Sequence, residues 1–244
     1  MSLSDAVLWV KFRVFLERSI ARLFQVNVDR YIVQTPTMKR DLIAWMRRRP
    51  RKSGDAPIDI MPFVDLTNVE IATNGSKLCW DFIYVADGSG HKNHRRLFEA
   101  FRLLAEEGHR PTLAITVSED DFALLSALDE LRSTFHLNIV NLGQLPHREV
   151  LARYRQARAV IFPSYAESFG IPLIEATKAG RPIIAGELDF VRDVCVPVET
   201  FDPLSEVSIA RAIKRFLFGT ADPIELQSSK QFVRSLIEMS AIES

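Results

Sequence analysis

The chain has 244 residues, which is one large domain or about one and a half domains of roughly 150 residues each, and 47% of it is hydrophobic, 25% charged and 9% aromatic. With only 10 Gly and 12 Pro, this composition excludes disordered, collagen-like and low-complexity classes. Lys+Arg and Asp+Glu both number 31, so no overall field draws the protein to nucleic acid, and any partner must be recognised locally.

Residues 6–25 read as an amphipathic helix with Trp9, Phe12, Leu16, Ile20 and Leu23 on one side and Lys11, Arg18 and Arg22 opposite. Residues 1–50 hold ten Lys/Arg against four Asp/Glu, so two readings stand: burial of the apolar side against a domain, or a basic helix resting on an anionic membrane surface. Tyr31-Ile32-Val33 is strand-like; Thr35 and Pro36 then signal a helix through Met38, Leu42, Ile43 and Trp45, which ends in the basic loop MRRRPRKSGD. IDIMPF at 58–63 is a second strand-like piece, and the polar stretch after it reads as a linker at 66–78.

From residue 79 the pattern becomes regular. Strand-length apolar runs at 80–86, 112–116, 137–142, 159–164, 181–185 and 193–198 alternate with helical segments near 92–107, 119–132, 147–156, 170–180 and 204–218. Strands apolar on both faces, separated by helices, predict an α/β fold: a Rossmann-like parallel sheet flanked by helices over 79–219. Residues 222–241 read as one further helix, the core of a C-terminal segment 220–244. Sheets of this kind bind ligands at the carboxyl ends of their strands, so chemistry is sought in the loops that follow the apolar runs.

Cys79 and Cys195 lie far apart without C-x-x-C spacing, and the five histidines, His91, His94, His109, His136 and His147, contain no H-E-x-x-H pair, so no metal is expected. No apolar run reaches 18 residues and no signal-peptide pattern opens the chain, from which a cytoplasmic setting is expected, with peripheral contact at the inner face of the membrane left open.

Two loops carry candidate chemistry. Ala86-Asp87-Gly88-Ser89-Gly90-His91-Lys92-Asn93 joins a strand to a helix; its glycines allow close backbone approach, and Lys92 at the helix mouth adds a positive charge suited to phosphate. The plain alternative is that a Gly-Ser-Gly sequence is simply a turn. In PSYAESFGIPLIEATKAG, residues 163–180, Glu167 precedes the Phe169-Gly170 turn, Pro172 sits where a helix can begin, and Glu175 lies on that helix. The amides of Phe169, Gly170 and Ile171 are placed to face a diphosphate, and Glu175 to accept two ribose hydroxyls. Against this stands the reading of Glu167 as a capping acid and Glu175 as a solvated helix residue.

These residues resemble the donor-binding half of the GT-B glycosyltransferases, specifically the retaining glycosyltransferase family 4, also labelled glycosyl transferases group 1. The resemblance runs from the strand at 80–86 to about residue 215. It rests on YVADGSGHKN, on the E-x7-E pair Glu167 and Glu175 with F-G between them and Ala179-Gly180-Arg181-Pro182 after them, and on FDPLSEVSIARAI. It implies a glycosyltransferase that moves a sugar from a nucleotide-diphosphate sugar to a saccharide or lipid-linked acceptor with retention of configuration. It further implies Glu175 at the donor ribose, Glu167 beside the transferred sugar as the catalytic residue, and Gly88, Lys92, Phe169, Gly170 and Ile171 at the donor. No metal is implied. Residues 1–65 resemble only the end of the family's N-terminal acceptor domain, so a truncated form or half of a split enzyme is implied, with a partner chain or self-association through the N-terminal helices. Ala86-Asp87 stands where the family commonly has Gly-Arg, which keeps a second class of reading open: a non-catalytic nucleotide-binding or interaction module.

Overall fold

A computed structural model describes residues 27–47, 56–64 and 77–219, together with residues 13, 15–21, 23, 24, 228, 229, 231, 233 and 234. The basic loop after residue 47, most of the linker expected at 66–78 and most of the C-terminal helix expected at 222–241 lie outside the described residues. The described residues between 13 and 24 are helical, and Leu16, Ile20 and Leu23, the side expected to be buried, are exposed within this chain. Trp9 and Phe12 lie outside the described residues.

A β-α-β unit follows: β1 (Tyr31–Val33), α1 (Pro36–Arg47) and β2 (Ile58–Ile60), with β1 and β2 parallel and Tyr31 opposite Ile58. Thr35 Oγ1 accepts the Met38 amide at 3.1 Å, which is the cap that the Thr-Pro pair signalled. The first turn of α1 also docks on the rest of the chain, because the Thr37 amide donates to Asp193 Oδ2 at 2.8 Å and Arg40 pairs with Asp189. A carboxylate at a helix N-terminus is favoured by the unpaired amides and dipole there.

The remaining strands are β3 (Trp80–Tyr84), β4 (Leu113–Ile115), β5 (Ile139–Asn141), β6 (Ala157–Phe162), β7 (Ile183–Gly186) and β8 (Glu199–Phe201). They form one parallel sheet in the order β5-β4-β3-β6-β7-β8, with Phe82 registered against Leu113 on one side and Ala159 on the other. The intervening helices are α2 (His94–Glu106), α3 (Phe122–Phe135), α4 (His147–Tyr154), α5 (Ile171–Lys178), α6 (Asp189–Arg192) and α7 (Glu206–Phe218). Leu97, Phe98, Phe101 and Leu104 bury one stripe of α2 against β3, the spacing that a 3.6-residue period requires. Helices α3, α2 and α7 pack together on one side of the sheet. Parallel crossovers are right-handed, so the reversed strand order beyond β6 sends α5 to the opposite side. Both sheet faces are thereby covered, as the apolar strands demand.

One expected strand is not there. Val194 to Val198 is rich in β-branched residues, yet Val194 and Cys195 donate their amides to Val191 O and so extend the turn of α6. The chain straightens only after Pro197, which has no amide to give to a ladder. Val198 N then donates to Ile183 O at 2.8 Å, and pairing with β7 runs through Glu199–Phe201.

The sheet order reverses between β3 and β6. Such a reversal opens a crevice above the carboxyl ends of the two strands, because their following loops turn away in opposite directions. The two loops that leave β3 and β6 are those singled out above.

Candidate functional site

The backbone of Lys92 is fixed before its charge is considered. Tyr84, the last residue of β3, donates its hydroxyl to Lys92 O at 2.8 Å and shares a 2.8 Å hydrogen bond with Ser164 Oγ just beyond β6. Burial pushes the Tyr84 phenol far above its ordinary range, so it stays a proton donor. Asn93 follows in the left-handed region, with φ 65°, a conformation asparagine tolerates better than most residues. Its buried Nδ2 donates to Pro163 O at 3.0 Å and Pro203 O at 2.7 Å. The loops after β3, β6 and β8 are thus laced together around one lysine.

The second loop is built on Gly170. With φ 75° it turns the chain into α5, and a methyl group there would also press on Leu173 Cδ1 at 3.3 Å. Phe169 is buried and anchors the turn, Ile171 is exposed, and Pro172 occupies the first turn of α5, where no amide hydrogen is required. Lys92 and Glu167 meet across the gap, with Nζ 2.7 Å from Oε1 and side chains only 13% and 11% exposed.

Glu175 is one turn further along α5 and is 5% exposed. It is not the solvated helix residue of the plain reading. Tyr154 donates its hydroxyl to Glu175 Oε2 at 3.3 Å, and His147 Nε2 lies 2.6 Å from Oε1. Burial and the adjacent Glu175 charge hold the Tyr154 phenol well above its ordinary range, which keeps it a donor.

A cleft of about 360 Å³ is lined by Val85, Ala86, Asp87, Lys92, Thr116, Ser118, Gln144, Leu145, Val150 and Pro172, and of the expected site residues Lys92 alone is among its lining. Lys92 pairs with Glu167, and His147, two residues beyond Leu145, ties that loop to Glu175. Asp87 lines the cleft as well, but its Oδ1 accepts the Ser89 amide at 2.8 Å. Burial alone would raise this carboxyl; the Ser89 hydrogen bonds and the nearby Lys92 and His91 outweigh that and hold it below the usual range. Asp87 is therefore an exposed, ionised carboxylate tied to its own loop.

Gly88, like Glu167, Phe169, Gly170, Ile171 and Glu175, is not among the residues that line this cleft. It lines a separate groove of about 1170 Å³ with Ser89 and Gly90 on the α2 and α3 side, and a methyl group on it would fall 2.5 Å from Asp121 Cγ. The close approach that excludes a side chain at 88 is made by the protein itself.

The sequence matches the glycosyl transferases group 1 family over residues 76–229. The chain belongs to that family. Among its relatives, the O-antigen chain mannosyltransferase B of Escherichia coli is 29% identical over 198 residues, covering 79% of this chain and 46% of that protein. The fold matches the sucrose-phosphate synthase of Thermosynechococcus elongatus with a TM-score of 0.66 at 21% identity, over 85% of this chain and 52% of that one. It also matches the pneumococcal O-GlcNAc transferase GtfA, solved with UDP and GlcNAc, with a TM-score of 0.60 at 18% identity, over 78% and 38% of the two chains. This group 1 family chain thus spans about half the length of the first of these relatives. Its sheet and helices are the Rossmann-like C-terminal domain fold of the GT-B glycosyltransferases.

In this group 1 chain, sequence reasoning missed His147, Tyr154, Tyr84 and Ser164. His147 was visible only as a histidine at a helix start after Leu145-Pro146, and its partner is 28 residues away. Tyr84 and Ser164 read as parts of apolar runs, and nothing local distinguishes a strand tyrosine that holds a loop from one that fills a core. Among the described residues, no cluster of three or more His, Cys, Asp or Glu side chains is arranged to hold a metal ion, and no helix is long and apolar enough to cross a membrane.

Proposed function

We propose that the cleft binds a nucleotide-diphosphate sugar and that the chain is the donor half of a retaining glycosyltransferase acting on a saccharide or lipid-linked acceptor. The observation that carries this reading is the meeting of Lys92, Glu167 and the first turn of α5 at the point where the strand order reverses. A diphosphate placed there faces the amides of Phe169, Gly170 and Ile171 and the ammonium of Lys92. An ammonium has three donors, so Lys92 can hold a phosphate oxygen while it keeps Glu167. Glu175 accepts the ribose hydroxyls, and Glu167 lies beside the sugar being moved.

In the reaction, the bond from the sugar's anomeric carbon to the departing phosphate breaks as the acceptor oxygen bonds to that carbon on the same face. The acceptor proton passes to the departing phosphate, and Lys92 with the helix amides stabilises the charge that develops there. These groups supply positive character without a divalent ion, so donor binding should survive EDTA. The O-antigen chain mannosyltransferase relative makes a mannosyl donor and an O-antigen chain the first pair to assay.

A second reading, a binding module without turnover, is favoured by Asp87 at the position where the family commonly has arginine. Sugar nucleotides that raise the melting temperature, with transfer or slow donor hydrolysis that Glu167→Gln abolishes, support the enzyme. A melting shift with no turnover for any donor, with or without a supplied acceptor-domain chain, supports the module; no melting shift with any sugar nucleotide rejects both.

A further inference from the structure

We infer that His147 is a positioning residue for the ribose end of the site, holding the Glu175 carboxylate in the orientation that selects a ribonucleotide over its 2′-deoxy counterpart. The inference rests on the reading of Glu175 as the ribose acceptor and adds a residue to it. Glu175 is 5% exposed, and a buried carboxylate is tolerable only if its oxygens are hydrogen-bonded. Among the described residues each oxygen has one donor, Tyr154 on Oε2 and His147 on Oε1.

The two donors differ in kind. Tyr154 is wholly buried beneath the carboxylate, whereas the His147 side chain is 59% exposed. A buried phenol is part of the packing that any folded chain must satisfy. An imidazole half in solvent contributes little to packing, and its short contact to Oε1, at 2.6 Å, fixes the rotation of the carboxylate plane instead.

His147 also begins α4, two residues after Leu145, which lines the cleft with Gln144. Its contact therefore ties the loop on one wall to the acid on α5. A carboxylate has about four acceptor sites and two are taken, so both oxygens retain capacity for ribose hydroxyls without losing His147. The imidazole thus preorganises the acceptor rather than occupying the ligand's place.

The test is calorimetric binding of uridine, guanosine and adenosine diphosphates and their 2′-deoxy forms to the full chain and to the His147→Ala, His147→Gln and Glu175→Gln variants. Circular dichroism melting verifies that each variant folds. For the base that binds, His147→Ala should weaken the ribonucleotide about tenfold and leave the deoxy form within about twofold, as for one lost hydrogen bond to a charged group. Glutamine places an amide N–H near the position of Nε2, so His147→Gln should restore most of the preference for ribose. Glu175→Gln should reduce that preference whichever residue stands at 147. If Glu175 sets the preference and His147→Ala leaves it unchanged, or binds more tightly, the positioning role is overturned while the reading of Glu175 stands. If the wild-type chain shows no preference for ribose, or binds none of the three diphosphates, that reading fails and this inference fails with it.

Discussion

Lys92 and Glu167, 75 residues apart in sequence, form a 2.7 Å ion pair from which water is largely excluded. In the proposed donor site, this pair would hold the phosphate-binding cation beside the acid at the sugar. Removing two charges from water is costly, and the attraction between them repays it only while both partners are present. Replacing one partner alone leaves an uncompensated charge in a dry site.

Lys92→Met should therefore destabilise the fold by about 3 kcal/mol in urea denaturation, and adding Glu167→Gln to the same chain should recover most of the loss. Nucleotide-induced thermal shifts should be absent from both variants, because the ammonium is gone in each. A single variant as stable as the wild type would show that the pair is solvated.

Glu175 couples binding to stability in a way that a surface carboxylate does not. Glu175→Ala removes the acceptor of the buried Tyr154 hydroxyl and leaves a void beneath α5, so it should cost about 2 kcal/mol as well as the response to nucleotide. Pairing it with Tyr154→Phe should cost less than the two single losses together, since the stranded hydroxyl then disappears. Chemical denaturation of the three variants measures the coupling, and strict additivity would mean that the 3.3 Å contact is energetically empty.

The parts of this site that were legible in the sequence are those specified by neighbours in the chain. Apolar runs with turn residues marked the sheet, Gly170 and Pro172 marked the start of α5, and Lys92 fell at a strand-to-helix loop. What was illegible depends on pairs distant in sequence. The solvation of Glu175 follows from Tyr154 and His147, which lie 21 and 28 residues away. The run at 193–198 looked like a strand because its valines favour extended backbone, but the helical turn of α6 and the position of Pro197 decide its state. Gly88 looked like a place for ligand approach, and only the fold reveals Asp121 against it.

That contact makes the two glycines of the loop unequal. Gly88→Ala pushes a methyl group into the Asp121 carboxylate and should cost about 1–2 kcal/mol, whereas Gly90 has no atom within 4 Å of the added carbon, and Gly90→Ala should be neutral to about 0.5 kcal/mol. Asp121→Ala should relieve most of the Gly88→Ala cost. If the cost persists in the double variant while nucleotide binding is lost, the glycine serves the ligand after all.

His94 gives the fold a specific sensitivity to acid. It is 2% exposed, lies between Tyr84 and Phe98 with ring centroids 4.8 and 6.1 Å away, and neither ring nitrogen has a hydrogen-bond partner among the described residues. Burial lowers its pKa to about 4, against an ordinary value of 6.5. Between those values the unfolded chain takes up a proton that the folded chain refuses, so stability rises with pH through this window and is lost as pH falls from about 6.5 toward 4. The loss attributable to this one group is about 3 kcal/mol at the acid end. Urea midpoints measured from pH 7 to pH 4 should show the decline, and His94→Leu, which keeps an apolar side chain of similar volume against Tyr84 and Phe98, should flatten it. An equally steep decline in the variant would assign the acid sensitivity to other groups.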